Sequence, residues 1–198
     1  MSEKEEIWSY EFEKGKEIKP GQLLLSEPFM PDENFKRTVV LVCEHTEQNG
    51  TIGLIINRPI NLKLNEVVSG FPPFNGKVFL GGPVGTDTLQ FLHSLDHTIE
   101  NSLELSPGLF WGGNFEQIKH LMNAGEIQPH EIRFYLGYSG WSPNQLEDEM
   151  KENSWIIAPA KSKHIFHSDY NFLWRDVMKE MGGLYSTMAN YPENPILN

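Results

Sequence analysis

Two short apolar runs rich in β-branched residues, Val39 to Cys43 and Ile52 to Ile56, stand either side of Asn49-Gly50. Asn-Gly is the preferred pair for a type I′ turn, because both central residues must take positive φ and these two tolerate it best. The stretch from Arg37 to Pro59 therefore predicts a β-hairpin around which the rest of the chain is arranged. If the loop closes with two residues, Gln48 faces Thr51, His45 faces Leu54, Cys43 faces Ile56 and Leu41 faces Arg58. His45 and Arg58 then share a face at opposite ends of it and do not touch.

Short strand patterns continue on both sides. Gln22–Ser26 follows Pro20-Gly21; Lys77–Leu80 ends at Gly81-Gly82-Pro83; Leu89–Leu95, Leu103–Leu105, Leu109–Trp111, Ile132–Tyr138 and Trp155–Ala158 complete the set. Helical spacing is confined to four places. Asn61–Val68 carries Leu62, Leu64, Val67 and Val68 on one short face. Asn114 caps a helix with Gln117 at its third position. Ser142-Pro143-Asn144-Gln145 reads as a capping box, with Ser142 accepting from the Gln145 amide and Gln145 reaching back. A last helix spans Asp169–Met181, with Phe172, Leu173, Val177 and Met181 inward and Gly182-Gly183 as its stop. Strands outnumber helices and do not alternate with them, which predicts an α+β fold with a mostly antiparallel sheet.

At 198 residues this amounts to one domain over 20–184, with an extension at 1–19 and a loosely held tail at 185–198. In the extension Trp8, Tyr10 and Phe12 alternate with Ser9 and Glu11, a pattern that fits an edge strand, a surface segment or a disordered leader. No apolar run approaches the roughly 18 residues of a membrane helix, and Met1 to Glu6 lack a secretory n-region and h-region. With Cys43 the single cysteine, the expected setting is the reducing cytoplasm. A net charge of −11 opposes nucleic-acid binding, whose affinity comes largely from phosphate neutralisation.

Cys43 and His45 lie on one face of a regular strand but roughly 6.6 Å apart along it, too far for a direct thiol–imidazole bond. Cys43 is thus expected in the core, and His45 is the better functional candidate. Arg58, after Asn57, ends a buried strand with a charge that needs a carboxylate partner or an anion. Gly81-Gly82-Pro83-Val84-Gly85 lacks the spacing of either phosphate loop and is expected as a turn or bulge. Ser139, in Gly137-Tyr138-Ser139-Gly140-Trp141, lacks the spacing of a nucleophile elbow. His93 and His97 are four apart, but in a strand running into a loop, so no metal is expected and no cofactor is implied. Trp141 sits where a strand ends and a capped helix begins, either plugging the sheet end or rimming a ligand site.

Several runs, in order, resemble the AlgH/YqgE family of bacterial proteins. They are Gly21-Gln22-Leu23-Leu24-Leu25, Phe35-Lys36-Arg37-Thr38 continuing to His45, Gly53 to Pro59, Phe79-Leu80-Gly81-Gly82-Pro83-Val84 with Leu92-His93, and Leu136 to Glu147. The resemblance covers about residues 20 to 183. It departs at Glu33-Asn34, where Asp-Pro is usual, and at Thr86-Asp87-Thr88, where an Asp-Arg-Gly run is common. It implies an α+β domain whose bifurcated sheet curls into a pseudo-barrel with flanking helices, and it carries a transcriptional-regulator label with no established activity. The candidate surface is His45, Asn57, Arg58, Gly81, Gly82, His93, Tyr138, Trp141 and Gln145, with no residue assigned as catalytic. Three functions follow as expectations: a non-enzymatic regulatory or binding protein with a protein or small-molecule partner, a DNA-binding regulator, or an enzyme using the His45, Arg58 and Trp141 region.

Overall fold

The computed structural model describes residues 17–95, 99–166 and 169–193. The expectation for Trp8, Tyr10 and Phe12 lies outside them, as does His97. The strands are β1 (Gln22–Ser26), β2 (Val39–Thr46), β3 (Gly50–Ile55), β4 (Pro59–Ile60), β5 (Val78–Leu80), β6 (Val84–His93), β7 (Leu103–Ser106), β8 (Leu109–Trp111), β9 (Ile132–Trp141) and β10 (Trp155–Pro159). The helices are α1 (Leu64–Val67), α2 (Phe115–Ala124), α3 (Gln145–Lys151), α4 (Ser162–Ile165), α5 (Leu173–Met181) and α6 (Gly183–Met188). The strands form one sheet in the order β10-β1-β2-β3-β9-β6-β8-β7, with β4 and β5 as a branch.

The fold is α+β with a large antiparallel sheet; the pairing of β5 with β9 is parallel. The sheet forks at β9. One edge of β9 pairs with β6. The other pairs with β3 through Gly53, Ile52 and Thr51, and with β5 through Val78 to Leu80. Gly137, with φ +64°, marks the fork, and a Cβ there would meet the Val84 carbonyl oxygen at 2.6 Å. Opposite it β6 bulges: Val84 faces Tyr138 and Leu89 faces Leu136, leaving Gly85 to Thr88 against Gly137 alone. The expected pseudo-barrel is not formed, because no ladder joins β7 to β10 among the described residues. Helices cover both faces, so the sheet hides its apolar surface without closing. One cluster joins Leu23, Leu41, Leu54, Phe79 and Tyr135 to Leu173, Trp174 and Val177 of α5. On the opposite face Leu24, Val40, Trp141 and Trp155 pack with Leu146 of α3, and Phe91 and Phe134 pack with Ile118 of α2.

The hairpin forms with a different register. His45 faces Thr51 and Thr46 faces Gly50, so the loop is Glu47-Gln48-Asn49, three residues, not two. Gly50 takes φ +80° while Asn49 keeps negative φ, the pattern of a type I turn closed by a left-handed glycine. A bulge at Cys43 then shifts the ladder again. Cys43 consequently faces the cluster under α5 while His45 reaches α3 on the other face, and the single shared face expected for them does not exist.

The helix expected at Asp169–Met181 is α5 and begins at Leu173, after a turn in which the Leu173 amide donates to the Tyr170 carbonyl. Phe172 therefore falls outside the buried stripe of Leu173, Trp174, Val177 and Met178 and is 49% exposed. From Tyr185 to Tyr191 the chain is held: Met188 and Ala189 are buried, Phe29 stacks on Tyr191, and Arg37 donates to the Tyr191 carbonyl. Glu180 on α5 accepts hydrogen bonds from Lys161, Lys163 and the buried His164, tying α4 to α5. Partial burial raises the Glu180 carboxyl, but these three bonds outweigh it and bring it to about 2. A carboxyl depressed below its unfolded value adds stability above the unfolded range, and that stability is lost as pH falls through the folded value. Thermal melts at pH 6, 4 and 3 are expected to show a loss from pH 4 downward that is smaller in Glu180→Gln; parallel losses in both proteins would refute the contribution.

Candidate functional site

Pairing of Thr51 with both His45 and Trp141 brings the hairpin end to the start of α3. There His45 Nδ1 lies 2.8 Å from Thr51 Oγ1, and His45 Nε2 lies 3.5 Å from Glu147 Oε1, with the ring 20% and the carboxylate 39% exposed. Behind this edge the indole N–H groups of Trp141 and Trp155 both donate to Glu149 Oε2, at 2.9 and 2.7 Å. Gln145 donates to Glu149 Oε1 at 2.9 Å and accepts from the Ser142 amide at 3.0 Å. Half of the expected capping box is therefore present. The Gln145 amide donates to the Ser142 carbonyl, not its hydroxyl, because the chain passes through left-handed Asn144 before the helix begins. Trp141 is 4% exposed, stacked on Phe35 at 5.9 Å and edge-on to Trp155 at 5.6 Å.

The remaining candidates are distributed elsewhere. Asn57 Oδ1 accepts from the Val39 amide and its Nδ2 donates to the Arg37 carbonyl. Arg58 donates to the carbonyls of Glu33 and Lys36, at 2.8 and 3.2 Å, so its charge is met by backbone oxygens where a carboxylate or an anion was expected. Burial lowers its pKa, and Glu33 and Asp32 work in the opposite sense. Asn57 and Arg58 thus hold the backbone around Phe35, at Glu33, Lys36, Arg37 and Val39, and Phe35 in turn stacks on Trp141. Gly81 and Gly82 lie flat against β9: a Cβ on either would stand 2.3 Å from the backbone of Gly137 or Tyr138. The Tyr138 ring lies beside Gly85 and Gly140. His93 is fully buried on Phe110, with Nε2 2.9 Å from Ser102 Oγ and 3.2 Å from the Gly112 carbonyl, while Nδ1 accepts from the Leu95 amide. Burial lowers its pKa, outweighing the Gly112 carbonyl. Burial also pushes the Cys43 thiol far up. Among the described residues no three His, Cys, Asp or Glu side chains are grouped to hold a metal ion, and no helix is long and apolar enough to cross a membrane.

Sequence reasoning named His45, Trp141 and Gln145 separately among its candidates, without placing them at one corner, and it did not name Glu147 or Glu149 as candidates. The four-residue spacing of Gln145 and Glu149 was the available signal.

A forked antiparallel sheet covered on both faces, with a tryptophan–glutamate corner where β9 meets α3, defines an α+β protein. The AlgH-like family profile matches residues 23–186, and the chain belongs to that family. It is 47% identical over 188 residues to a UPF0301 protein of Chlorobium phaeobacteroides, covering 95% of this chain and 98% of the other. It is 46% identical over 181 residues to a UPF0301 protein of Chlorobaculum tepidum, covering 91% and 96%. Among solved structures, the AlgH protein of Pseudomonas aeruginosa superposes with a TM-score of 0.69 at 30% identity, covering 89% of this chain and 98% of that one. A Corynebacterium diphtheriae protein gives a TM-score of 0.74 at 23% identity, covering 89% and 94%, a likeness of fold alone.

Proposed function

We propose that the protein is a non-enzymatic regulatory or binding protein of the bacterial cytoplasm, acting on a protein or small-molecule partner. The observation that carries this reading is the occupation of its chemically competent groups. His93 is spent between Ser102, Gly112 and Leu95; Arg58 is spent on two backbone carbonyls; the Cys43 thiol is buried and held protonated. The fully buried or bonded state of these groups suits positioning, and catalysis would require one of them to meet a substrate. His45 beside Glu147 keeps a partly exposed edge and is the recognition surface of this reading.

The experiment is a turnover screen of the purified protein against p-nitrophenyl esters and phosphates, paired with native mass spectrometry of protein taken from its own cytoplasm. A mass-shifted complex without turnover is the expected result. Turnover that disappears in His45→Gln would overturn the reading in favour of an enzyme. Duplex DNA is not the partner in this proposal, since a chain of net charge −11 gives phosphates little to bind; retardation of any duplex in a gel shift at about 50 mM salt would reverse that.

A further inference from the structure

The structure contains a groove whose lining shares no residue with the His45 corner. It lies between the short edge strand β4, the start of α1 and the segment from Phe74 to Lys77, with a volume of about 580 Å³. That is within the range of small-molecule sites, roughly 300–1,000 Å³. Pro59, Ile60, Leu62 and Phe74 supply the apolar part of its lining, and Lys63, Lys77 and Glu66 supply its charges.

The charges around it are unusual for this chain. Lys19, Lys36, Lys119, Lys151, Lys161 and Lys163 each hold a carboxylate within 4.0 Å. Lys63, Lys77 and Lys179 have none among the described residues, although the protein carries eleven more acidic than basic side chains (27 − 16), and of these three only Lys63 and Lys77 line the groove. The one acid in the lining, Glu66, accepts through Oε2 from the Lys63 amide at 2.7 Å. Lys77 is steadied by the Tyr170 ring, 5.3 Å from its Nζ. Two lysines among the lining residues supply positive charge that an anion in the groove can meet, while Pro59, Ile60, Leu62 and Phe74 take up an apolar body.

From this juxtaposition we infer that the groove is a binding site for a small amphipathic organic anion, an aromatic or aliphatic body carrying a carboxylate, sulfonate or phosphate. An added peptide strand is disfavoured, because β4 is two residues long and Pro59 has no N–H to offer. The site deepens the binding-protein reading and rests on it.

The probe is 8-anilinonaphthalene-1-sulfonate, titrated into the folded protein at low ionic strength with its fluorescence recorded. Saturable one-to-one binding is expected, weakened at least tenfold in the Lys63→Gln/Lys77→Gln double variant and unchanged in Lys179→Gln. Leu62→Glu, at a groove residue 48% exposed, adds an anion without touching the core and is also expected to abolish binding. Lack of saturable binding, or affinity that survives both the double lysine variant and Leu62→Glu, would overturn the site. That failure would leave the His45 corner as the recognition surface, whereas turnover lost in His45→Gln would end the binding-protein reading and leave anion affinity in the groove intact.

Discussion

Trp141→Ala is expected to lower the unfolding free energy by about 3–5 kcal/mol, the range for truncating a buried large aromatic. The indole is 4% exposed and packs on Phe35 and Trp155. Its loss opens a cavity in a cluster that also holds Val40, Ile55 and Leu146, and the surrounding sheet cannot collapse to fill it. The Glu149 carboxylate loses one of its two indole donors and keeps the other from Trp155. Urea denaturation followed by far-UV circular dichroism reads the effect as a shift of the midpoint at constant slope. A loss below about 1.5 kcal/mol would mean that the corner carries little packing energy, and would return Trp141 to the role of a ligand-site rim.

Gly81→Ala is expected to cost about 3 kcal/mol or more, at the upper end of what overpacking produces. The added Cβ would stand 2.3 Å from the Gly137 carbonyl oxygen and 2.9 Å from a methyl of Leu54. The leucine can rotate away; the carbonyl cannot, since it belongs to the strand from which the sheet forks. Gly81 is itself held on both sides. Its amide donates to the Leu136 carbonyl at 2.8 Å, and its carbonyl accepts from the Ile55 amide and the Ser139 hydroxyl, at 2.8 and 3.1 Å. Moving the backbone to admit a methyl group strains those bonds together. Gly108→Ala supplies the control: its φ is +73° with nothing within 4 Å of the added Cβ, so about 1 kcal/mol of backbone strain is all that it should cost. Equal effects at the two positions would show that close approach at the fork is not the constraint.

Much of the fold was legible because the strands other than the two-residue β4 carry their own signal. The apolar runs, the Asn114 cap and the glycine stops are local, and they appear where periodicity and capping chemistry place them. The register of the hairpin was not legible. Asn49-Gly50 suits a two-residue turn, yet Thr46 Oγ1 accepts from the Asn49 amide and favours a three-residue loop, and the bulge at Cys43 carries no local mark. The fork, implied by the family resemblance, was hidden from the residue pattern for a related reason. The parallel pairing of Val78–Leu80 with Phe134–Leu136 joins segments far apart in sequence, and only the glycines at 81 and 137 hint at so close an approach. At the candidate surface, residue type suggested chemistry that partners then withdrew. Arg58 and His93 look available in sequence and are committed in three dimensions to carbonyls that no pattern marks.

The order of strands in space has a consequence for how the chain is made. β1, with Leu23 to Ser26 all buried, has β10 as its outer neighbour, pairing Gln22 with Pro159 and Ser26 with Trp155. A ribosome delivers β1, β2 and β3 early and β10 last among the strands, so the leading edge of β1 emerges apolar and unpaired. The same holds at β3, whose outer partner β9 is also late. Throughout elongation the growing chain presents two uncovered strand edges, the kind of surface that invites pairing with other chains. Productive synthesis therefore depends on keeping those edges apart from their neighbours until the polypeptide is nearly whole.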